Sequence, residues 1–326
     1  MLKHLGKYLA GLAMIAMTAA PATAADWPER PITWIVPYSA GGGIDFVVRQ
    51  LNKEVSSKLG QSIVVENKPS AGTIVGAQAL LNDKPDGYTV GTFDATALAY
   101  NPALYERLPY DPKNFTYIAG MGVFPLVIAV NAASPYKTLA DLIKDARERP
   151  ELVTCATPGV GTPHALALDL FSRLTNLKIT HVPYKGGAPA AQALVASQVT
   201  MDVTDIATVL AFQKSNQVRI LAIIMPKRID ILPDVPTIEE AGVKGMSANA
   251  WTGIVGPPGM PQDVVVKLNK AINEGLVASA FQAQVHDNLA LQAMLMSPAE
   301  FQRYATEERE FWSKQIKESG ITLQAP

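Results

Sequence analysis

The chain has 326 residues, of which 48% are hydrophobic, and its 28 Lys and Arg nearly balance its 29 Asp and Glu. This balance excludes the strongly basic surface that binding to nucleic acid or anionic lipid requires. The single cysteine, Cys155, excludes an intramolecular disulfide, so buried apolar surface must stabilise the fold. The length allows two ordinary domains.

The N-terminus has the pattern of a cleaved signal peptide. Lys3 and Lys7 precede an apolar run over residues 8–20, and Ala22-Thr23-Ala24 has the small-x-small form of a cleavage site. Without residues 1–25 the chain keeps 26 basic and 29 acidic residues, a net charge of −3. Because no later stretch approaches the ~20 apolar residues of a membrane span, we expect a periplasmic protein cleaved near Ala24.

A glycine-rich loop follows the first predicted strand, at residues 32–36. The loop reads Pro37-Tyr38-Ser39-Ala40-Gly41-Gly42-Gly43-Ile44-Asp45, and apolar residues at helical spacing over 48–59 predict a helix after it. Glycine lets a ligand approach the main chain, and the N–H groups of a first helical turn favour negative charge. The loop is therefore either an anion-binding site or only a tight turn between two elements.

Alternation of strands and helices continues along the chain. Further strands are predicted at 62–66, 89–93, 125–130, 152–156, 200–204, 218–224 and 251–255, and helices at 75–82, 138–148, 163–175, 188–197, 206–214, 261–279 and 298–319. The strand at 251–255 is expected to return to the first domain. Cys155 falls in a predicted strand, which favours a buried, unreactive thiol. The pattern predicts two α/β lobes with mixed, mostly parallel sheets.

Short motifs follow one another in a definite order through both lobes. They are the loop from Pro37 to Asp45 with Arg49, then Val64-Val65-Glu66-Asn67-Lys68-Pro69, Asp86-Gly87-Tyr88, Leu108-Pro109-Tyr110-Asp111-Pro112, Gly159-Val160-Gly161-Thr162-Pro163-His164, Val182-Pro183-Tyr184-Lys185-Gly186-Gly187-Ala188-Pro189-Ala190 and Pro233-Asp234-Val235-Pro236-Thr237 with Glu240-Ala241-Gly242. In this order they resemble the substrate-binding proteins of tripartite tricarboxylate transporters, the Bug receptors. The resemblance covers nearly the whole mature chain.

The resemblance implies a type II periplasmic binding protein whose lobes are joined by a two-strand hinge. One lobe would contain residues 26–124 and 249–326, the other residues 125–248, with the ligand in the cleft between them. The family typically holds a small carboxylate by main-chain N–H groups and ordered waters, and it delivers the ligand to an inner-membrane permease. We expect a monomer that closes around a di- or tricarboxylate or an aromatic acid.

Candidate ligand-binding residues come from the loops that follow the predicted strands, because ligands of open α/β sheets bind beyond the carboxyl ends of the strands. They are Tyr38, Ser39, Ala40, Gly41, Gly42, Gly43, Ser70, Thr73, Asp94, Thr96, Thr162, His164, Tyr184, Gly186, Gly187, Ala188 and Asp205. Asp45 is expected to serve its own helix instead, as a first-turn acid four residues before Arg49.

Several of these residues have a second interpretation. Ser70 and Thr73 stand where the family commonly has glycine, so their hydroxyls could line the cleft. Asp94 and Asp205 could face the cleft and favour a ligand with an amino group, or each could cap the following helix, the commoner role for such an Asp. Thr162 could cap a helix or reach the ligand. His164 could donate to a carboxylate or make a structural hydrogen bond.

An exported enzyme is the main competing class. Gly41-x-Gly43 follows a strand and precedes a helix, as in dinucleotide-binding folds, but Phe46 replaces the third glycine. The four histidines, one of them inside the signal peptide, form no metal-binding pattern, and no Gly-x-Ser-x-Gly motif is present. We expect no enzymatic activity, metal or cofactor. A receptor for an amino acid or a nicotinamide-like ligand and a sensor for a two-component kinase stay open.

Overall fold

The computed structural model describes residues 27–41, 43–246 and 248–324. The predicted signal peptide, residues 1–25, and the predicted ligand-binding residue Gly42 lie outside the described residues. None of the helices within these ranges is long and apolar enough to cross a membrane.

The described residues form eleven strands and ten α-helices. The strands are β1 Ile32–Val36, β2 Ile63–Asn67, β3 Thr89–Asp94, β4 Thr116–Phe124, β5 Leu126–Asn131, β6 Thr154–Thr157, β7 Thr180–Pro183, β8 Met201–Asp205, β9 Val218–Ile224, β10 Ala250–Gly256 and β11 Gln292–Ala293. The helices are α1 Gly43–Leu59, α2 Ile74–Leu81, α3 Asn101–Leu104, α4 Leu139–Glu148, α5 Pro163–Thr175, α6 Gly187–Val195, α7 Ile206–Lys214, α8 Gln262–Leu276, α9 Ser279–Leu289 and α10 Pro298–Ser319. A π-helical turn, Thr96–Tyr100, leads into α3.

The strands divide between two sheets. One is six-stranded, in the order β11-β4-β10-β3-β1-β2, and the other is five-stranded, in the order β7-β6-β8-β5-β9. The chain passes from the first sheet to the second at Pro125, between β4 and β5, and returns through residues 225–249, between β9 and β10. The expected return of the strand near 251–255 to the first sheet is confirmed. The assignment of 26–124 plus 249–326 and of 125–248 to separate lobes stays a prediction.

Both sheets are mixed, as predicted, although the antiparallel share is larger than expected. Strand β1 is parallel to β2 and β3, and β6 is parallel to β7 and β8, as βαβ connections require. Every antiparallel pairing of the described strands involves β5 or β10 or joins β4 to β11. The strands next to the two crossings between sheets therefore bring in the antiparallel pairs.

Strand β4 has no counterpart among the predicted strands. Gly120 and Gly122 interrupt its apolar sequence, and glycine weakens the sequence signal of a strand. A Cβ at Gly120 would lie 2.7 Å from Met294 Cβ, and one at Gly122 would lie 2.7 Å from the Leu291 side chain. Glycine therefore lets the chain around β11 pack directly on β4. The predicted helix at 261–279 is also divided, into α8 and the start of α9.

The sheets pack against helices and hold a largely apolar core. Trp34, Trp251 and Trp312 are almost completely buried. Trp34 Nε1 donates to Thr92 Oγ1 (2.8 Å), and Trp251 Nε1 donates to Glu308 Oε2 (2.9 Å). Cys155 is fully buried in β6, where burial raises its pKa well above the ordinary value, so the thiol is as unreactive as predicted.

Candidate ligand-binding site

A buried carboxylate holds the loop between β1 and α1. Asp45 is 2% exposed, and its Oδ2 accepts from the Gly41 backbone N (2.8 Å) and from Arg49 Nε (2.9 Å). Its Oδ1 accepts from Asn67 Nδ2 (2.9 Å), which also donates to the Tyr38 carbonyl (3.0 Å). Burial alone would raise the pKa of Asp45, but these three donors lower it. Asp45 thus serves its own helix and loop, as predicted, and the Gly41 N–H already has an acceptor.

The loop before α2 places two hydroxyls beside the same cleft. Ser70 Oγ accepts from the Val75 backbone N (3.0 Å), and Thr73 Oγ1 donates to the Gly72 carbonyl (2.6 Å). Thr73 is buried and has a φ of 62°, a left-handed conformation that a β-branched residue rarely adopts. A threonine here therefore keeps its hydroxyl at the cleft at some cost in stability.

Asp94, at the end of β3, caps the helical segment that follows. Its Oδ2 accepts from Thr96 Oγ1 (3.0 Å), and its Oδ1 accepts from the Ala97 backbone N (3.3 Å). No lysine, arginine or histidine of the described residues pairs with it. Burial raises the pKa of Asp94, although hydrogen bonds partly offset this effect. The capping role is therefore present, and the carboxylate also faces the cavity described below.

A histidine and an aspartate face each other at the carboxyl edge of the five-stranded sheet. Thr162 caps α5, accepting from the Ala165 backbone N (3.3 Å), which is the capping role considered from the sequence. His164, in the first turn of the helix, is 8% exposed, and its Nε2 lies 3.1 Å from Asp205 Oδ2. Burial alone would lower the pKa of His164, but the Asp205 carboxylate raises it. Asp205 precedes α7 without capping it, so the commoner role expected for Asp205 is absent.

Asp202 lies in β8 and is fully buried. Neither carboxylate oxygen has a hydrogen-bond partner among the described residues. Burial raises its pKa to about 7, the His164 charge opposes that rise, and Asp205 adds to it. Asp202 is therefore a buried acid whose neutral form is favoured by burial, and sequence reasoning did not single it out.

The loop between β7 and α6 contains the second glycine pair. Gly186 has a φ of 108°, which only glycine adopts easily, and its N–H donates to the Pro158 carbonyl (2.9 Å). Gly187 begins α6, where a Cβ would lie 3.1 Å from Thr208 Oγ1. The glycines therefore let the first turn of α6 lie close to its neighbours at the cleft.

These loops surround a cavity of about 550 Å³ between the two sheets. The first wall comes from the six-stranded sheet and comprises Tyr38, Ser39, Gly43, Ile44, Ser70, Gly72, Thr73, Asp94 and Thr96. The second wall comes from the five-stranded sheet and comprises Pro158, Thr162, Pro163, His164, Gly186, Gly187 and Asp205. Phe124, Ala250 and Thr252 close the cavity where the chain crosses between the sheets.

Twelve of the predicted site residues line this cavity together. They are Tyr38, Ser39, Gly43, Ser70, Thr73, Asp94, Thr96, Thr162, His164, Gly186, Gly187 and Asp205. Ala40, Gly41, Tyr184 and Ala188 are outside the lining. Tyr184 packs against the apolar cluster that includes residues of α6 and α7, and Ala188 is exposed.

Other lining residues were absent from the sequence-based set. Ile44, Gly72, Pro158 and Pro163 are neighbours of predicted residues in the same loops. Phe124, Ala250 and Thr252 come instead from β4 and β10, and Phe124 pairs with Ala250 across these strands. The predicted residues lie in loops that follow predicted strands, whereas these three lie within strands next to the crossings between the sheets. The predicted return of 251–255 to the first domain was the signal that could have found them.

The cavity combines helix N-termini with an unusual charge pattern. Gly43, Pro163 and Gly187 are the first residues of α1, α5 and α6. Main-chain N–H groups at such positions favour anions, and Gly43 and Gly187 each carry one, whereas Pro163 has none. Neither lysine nor arginine occurs among the lining residues, whereas Asp94 and Asp205 both do. Within the described ranges no group of three or more His, Cys, Asp or Glu could hold a metal ion.

Two mixed α/β sheets with a cleft between them are the architecture of periplasmic solute-binding proteins. The family model of the tripartite tricarboxylate transporter family receptor matches residues 47–321. BugT from Bordetella pertussis is 32% identical over 311 residues, which cover 94% of each chain. This chain therefore belongs to the tripartite tricarboxylate transporter receptor family, a family of periplasmic solute receptors.

Solved structures agree with this assignment. The structure of Rhodopseudomonas palustris Rpa4515 with adipate has a TM-score of 0.81 and 29% identity, covering 92% of this chain and all of the other. MatC from Rhodopseudomonas palustris, with bound malate, has a TM-score of 0.76 and 29% identity, covering 89% of this chain and all of the other.

Proposed function

We propose that this protein is a periplasmic receptor that closes around a small organic carboxylate and presents it to an inner-membrane permease of the tripartite tricarboxylate type. Gly43, Pro163 and Gly187, the first residues of three helices, line the cavity, and this is the observation that carries the proposal. Helix N-termini bind anions without a basic side chain, which fits a cavity lined by no lysine or arginine.

Recognition through the main chain suits reversible capture. Hydrogen bonds from backbone N–H groups, direct or through water, hold a carboxylate without the buried salt bridge that an arginine would make. The cavity volume of about 550 Å³ lies in the range of small-molecule sites. The adipate and malate bound to Rpa4515 and MatC are small dicarboxylates, which supports an acid of similar size here.

Closure would bring the two walls together. We assign residues 26–124 and 249–326 to one lobe and residues 125–248 to the other, because each set contains all the strands of one sheet. The chain crosses between them at Pro125 and through residues 225–249, the predicted two-strand hinge. A ligand that contacts both walls favours the closed state by the difference between its affinities for the two states.

Export and delivery complete the proposal. The N-terminal pattern predicts cleavage near Ala24, so N-terminal sequencing of protein from the periplasm should begin close to Ala25. Receptors of this family work with a transporter, so we expect this protein to have a membrane permease as its partner. We expect a monomer in solution, which analytical ultracentrifugation with and without ligand would measure.

A thermal-shift screen followed by calorimetry tests the ligand class. The panel contains mono-, di- and tricarboxylates, aromatic acids, amino acids, nicotinamide and NAD. At a concentration of 100 times its Kd a bound acid adds about 2.7 kcal/mol of stability and raises Tm by about 5 °C. Binding of at least one carboxylate supports the proposal. Tight binding of NAD with no response to any carboxylate would overturn it in favour of the dinucleotide alternative.

A further inference from the structure

Helix α10 connects the two halves of the fold. Its first turn packs on the six-stranded sheet, where Gly253 of β10 has no side chain and leaves room for the Phe301 ring. In its middle, Glu308 accepts from Trp251, the second residue of β10, which fixes the helix next to the point where the chain returns to this sheet. Its C-terminal end contacts α5, the helix between β6 and β7 of the five-stranded sheet. The helix is therefore a third connection, besides the two chain crossings.

Arg173, in the last turn of α5, makes the polar part of this connection. Its Nη1 donates to Glu318 Oε2 (3.1 Å) and its Nη2 donates to Gln315 Oε1 (2.9 Å), both on α10. Its Nε donates to Asp169 Oδ2 (2.8 Å), one turn earlier on α5. Because Asp169 fixes the planar guanidinium, less conformational entropy is lost when its other two nitrogens bind α10.

Apolar packing accompanies this polar contact. Trp312 and Ile316 of α10 are almost completely buried, and they belong to the same continuous apolar cluster as Leu166 and Phe171 of α5. The Arg173 side chain is 30% exposed. Water therefore screens its ion pair only in part, and we expect the contact to contribute more than an isolated pair on an open surface.

The segment after α10 contacts the loop that supports the second wall. The Leu323 backbone N donates to the Leu104 carbonyl of α3 (2.7 Å). A Cβ at Gly161 would lie 2.9 Å from Leu323 Cδ1, so the Leu323 side chain packs against the loop that leads into α5. The next residue, Thr162, caps α5 and lines the cavity. Both ends of α5 are therefore held from outside the five-stranded sheet.

We propose that Arg173 is a positioning residue for the ligand-binding site: by binding Gln315 and Glu318 it holds α5 against α10, so that the first turn of α5 stays opposite the first wall. This inference rests on the proposed function and names a contact that governs its closure. The arrangement in which both walls line one cavity is the arrangement that Arg173 stabilises. Loss of the contact lowers the population of this arrangement, and the apparent affinity falls by the same factor.

Arg173→Gln tests the inference, because glutamine keeps a polar side chain but removes the charge and the planar fork. With the tightest-binding carboxylate of the panel, calorimetry and stopped-flow kinetics should show an affinity about three- to tenfold weaker, through faster dissociation. Small-angle scattering should show a larger radius of gyration for the ligand-free variant, which returns to the wild-type value at saturating ligand. A wild-type dissociation rate, or an unchanged radius of gyration without ligand, would overturn the inference.

Arg219→Gln is the matched control. Arg219, in β9, donates to the Ala132 carbonyl (2.8 Å) and the Tyr136 carbonyl (2.9 Å), and all three residues belong to the part of the chain that forms the five-stranded sheet. Its replacement should lower the thermal stability without changing the dissociation rate or the radius of gyration. If both variants change the dissociation rate equally, Arg173 acts only through stability and the inference is wrong.

A double-mutant cycle with Glu318→Gln identifies the contact. Glu318→Gln should weaken the same acid by a smaller factor, since Gln315 still accepts from Arg173. The double variant should bind no more weakly than Arg173→Gln alone, whereas two factors that multiply would contradict the connection. If no acid of the panel binds the wild type, the proposed function fails, and the scattering of the ligand-free proteins still decides the inference.

Discussion

The two walls of the cleft use the same local structure, a helix N-terminus at the end of a strand, with opposite electrostatic results. Asp45 and Asp94 accept hydrogen bonds from backbone N–H groups next to the first wall, at Gly41 and Ala97 respectively. On the second wall, Asp205 lies at the corresponding position before α7 but makes no cap bond and faces His164. Sequence position alone does not decide whether such an acid serves the helix or the ligand.

The largest expected effect comes from blocking the first wall sterically. Gly43 lines the cavity, has no positive φ, and a Cβ there meets nothing within 4 Å. Gly43→Val should therefore fold normally while its side chain enters the space of the ligand, and the affinity for the best acid should fall about 100-fold, roughly 2.7 kcal/mol. Calorimetry measures the affinity and thermal unfolding measures the fold.

Gln262→Val is the matched control for that variant. Gln262 is the exposed first residue of α8, as Gly43 is of α1, and it lies outside the cavity. Its replacement should leave the affinity unchanged. Equal affinity of Gly43→Val and the wild type would remove the β1–α1 loop from the site and leave only the second wall as a candidate.

Because Asp45 holds the loop between β1 and α1, we expect its replacement to lower the stability of the protein. Asp45→Asn places an amide where Gly41, Arg49 and Asn67 all present donors, and it should lower the free energy of unfolding by about 1–3 kcal/mol in urea titrations at pH 7. Asp263→Asn, an exposed first-turn acid of α8, is the control and should change stability by only about 0.3–1 kcal/mol. Similar losses in both variants would show that Asp45 acts only through the helix dipole.

The pH dependence of the same variant is a separate check. Because the pKa of Asp45 is lowered in the folded state, its stabilisation is complete above the unfolded pKa of about 3.9 and is lost as pH falls through the folded pKa. The difference in stability between wild type and Asp45→Asn should therefore shrink below pH 4. A difference that stays constant from pH 7 to pH 3 contradicts this role.

For Asp202, in β8, we expect the opposite pH dependence of its contribution to the free energy of unfolding. Its folded pKa of about 7 lies above the unfolded value of about 3.9, so its contribution is most favourable when it is protonated and is lost as pH rises from about 4 to about 7. Asp202→Asn should raise the free energy of unfolding by about 1 kcal/mol or more at pH 8 and by less at pH 5. A larger gain at pH 5 than at pH 8 would contradict the burial of this charge.

The smallest effect is expected at the cap of α5. Thr162→Ala removes the cap bond to Ala165 and the hydrogen bond to the Gly159 carbonyl, with a loss of about 1 kcal/mol and an affinity about threefold lower, since the second-wall loop is loosened. Ser297→Ala removes a comparable cap at α10, away from the cavity. It should lose similar stability with unchanged affinity. Equal affinities in the two variants would exclude a role for the Thr162 loop in binding.

Much of this architecture is readable from local patterns. Apolar strands, amphipathic helices and the glycine loops predicted alternating elements, two mixed α/β sheets and most of the residues that line the cavity. Local patterns failed where long-range packing decides the outcome. The apolar sequence of β4 is interrupted by Gly120 and Gly122, whose lack of a side chain lets the chain around β11 pack closely. Phe124 and Thr252 line the cavity because β4 and β10 pair where the chain crosses between the sheets.

Roles of single side chains were the hardest to predict. Asp94 and Asp205 have the same sequence context, each at the end of a strand before a helical segment, and the same two interpretations applied to both. The structure separates them through groups distant in sequence, since His164 Nε2 lies 3.1 Å from Asp205 Oδ2, whereas the hydrogen bonds of Asp94 come from Thr96 and Ala97. Similarly, the burial of Asp202 depends on how α5, α6 and α7 pack around β8.

A crystal structure of the protein with the tightest-binding acid of the panel tests the central claim most directly. The account predicts the acid in the 550 Å³ cavity, with a carboxylate within hydrogen-bond distance, directly or through one water, of a main-chain N–H group in the first turn of α5 or α6. A ligand bound outside this cavity, or one whose carboxylate is held by a lysine or arginine side chain, would contradict it.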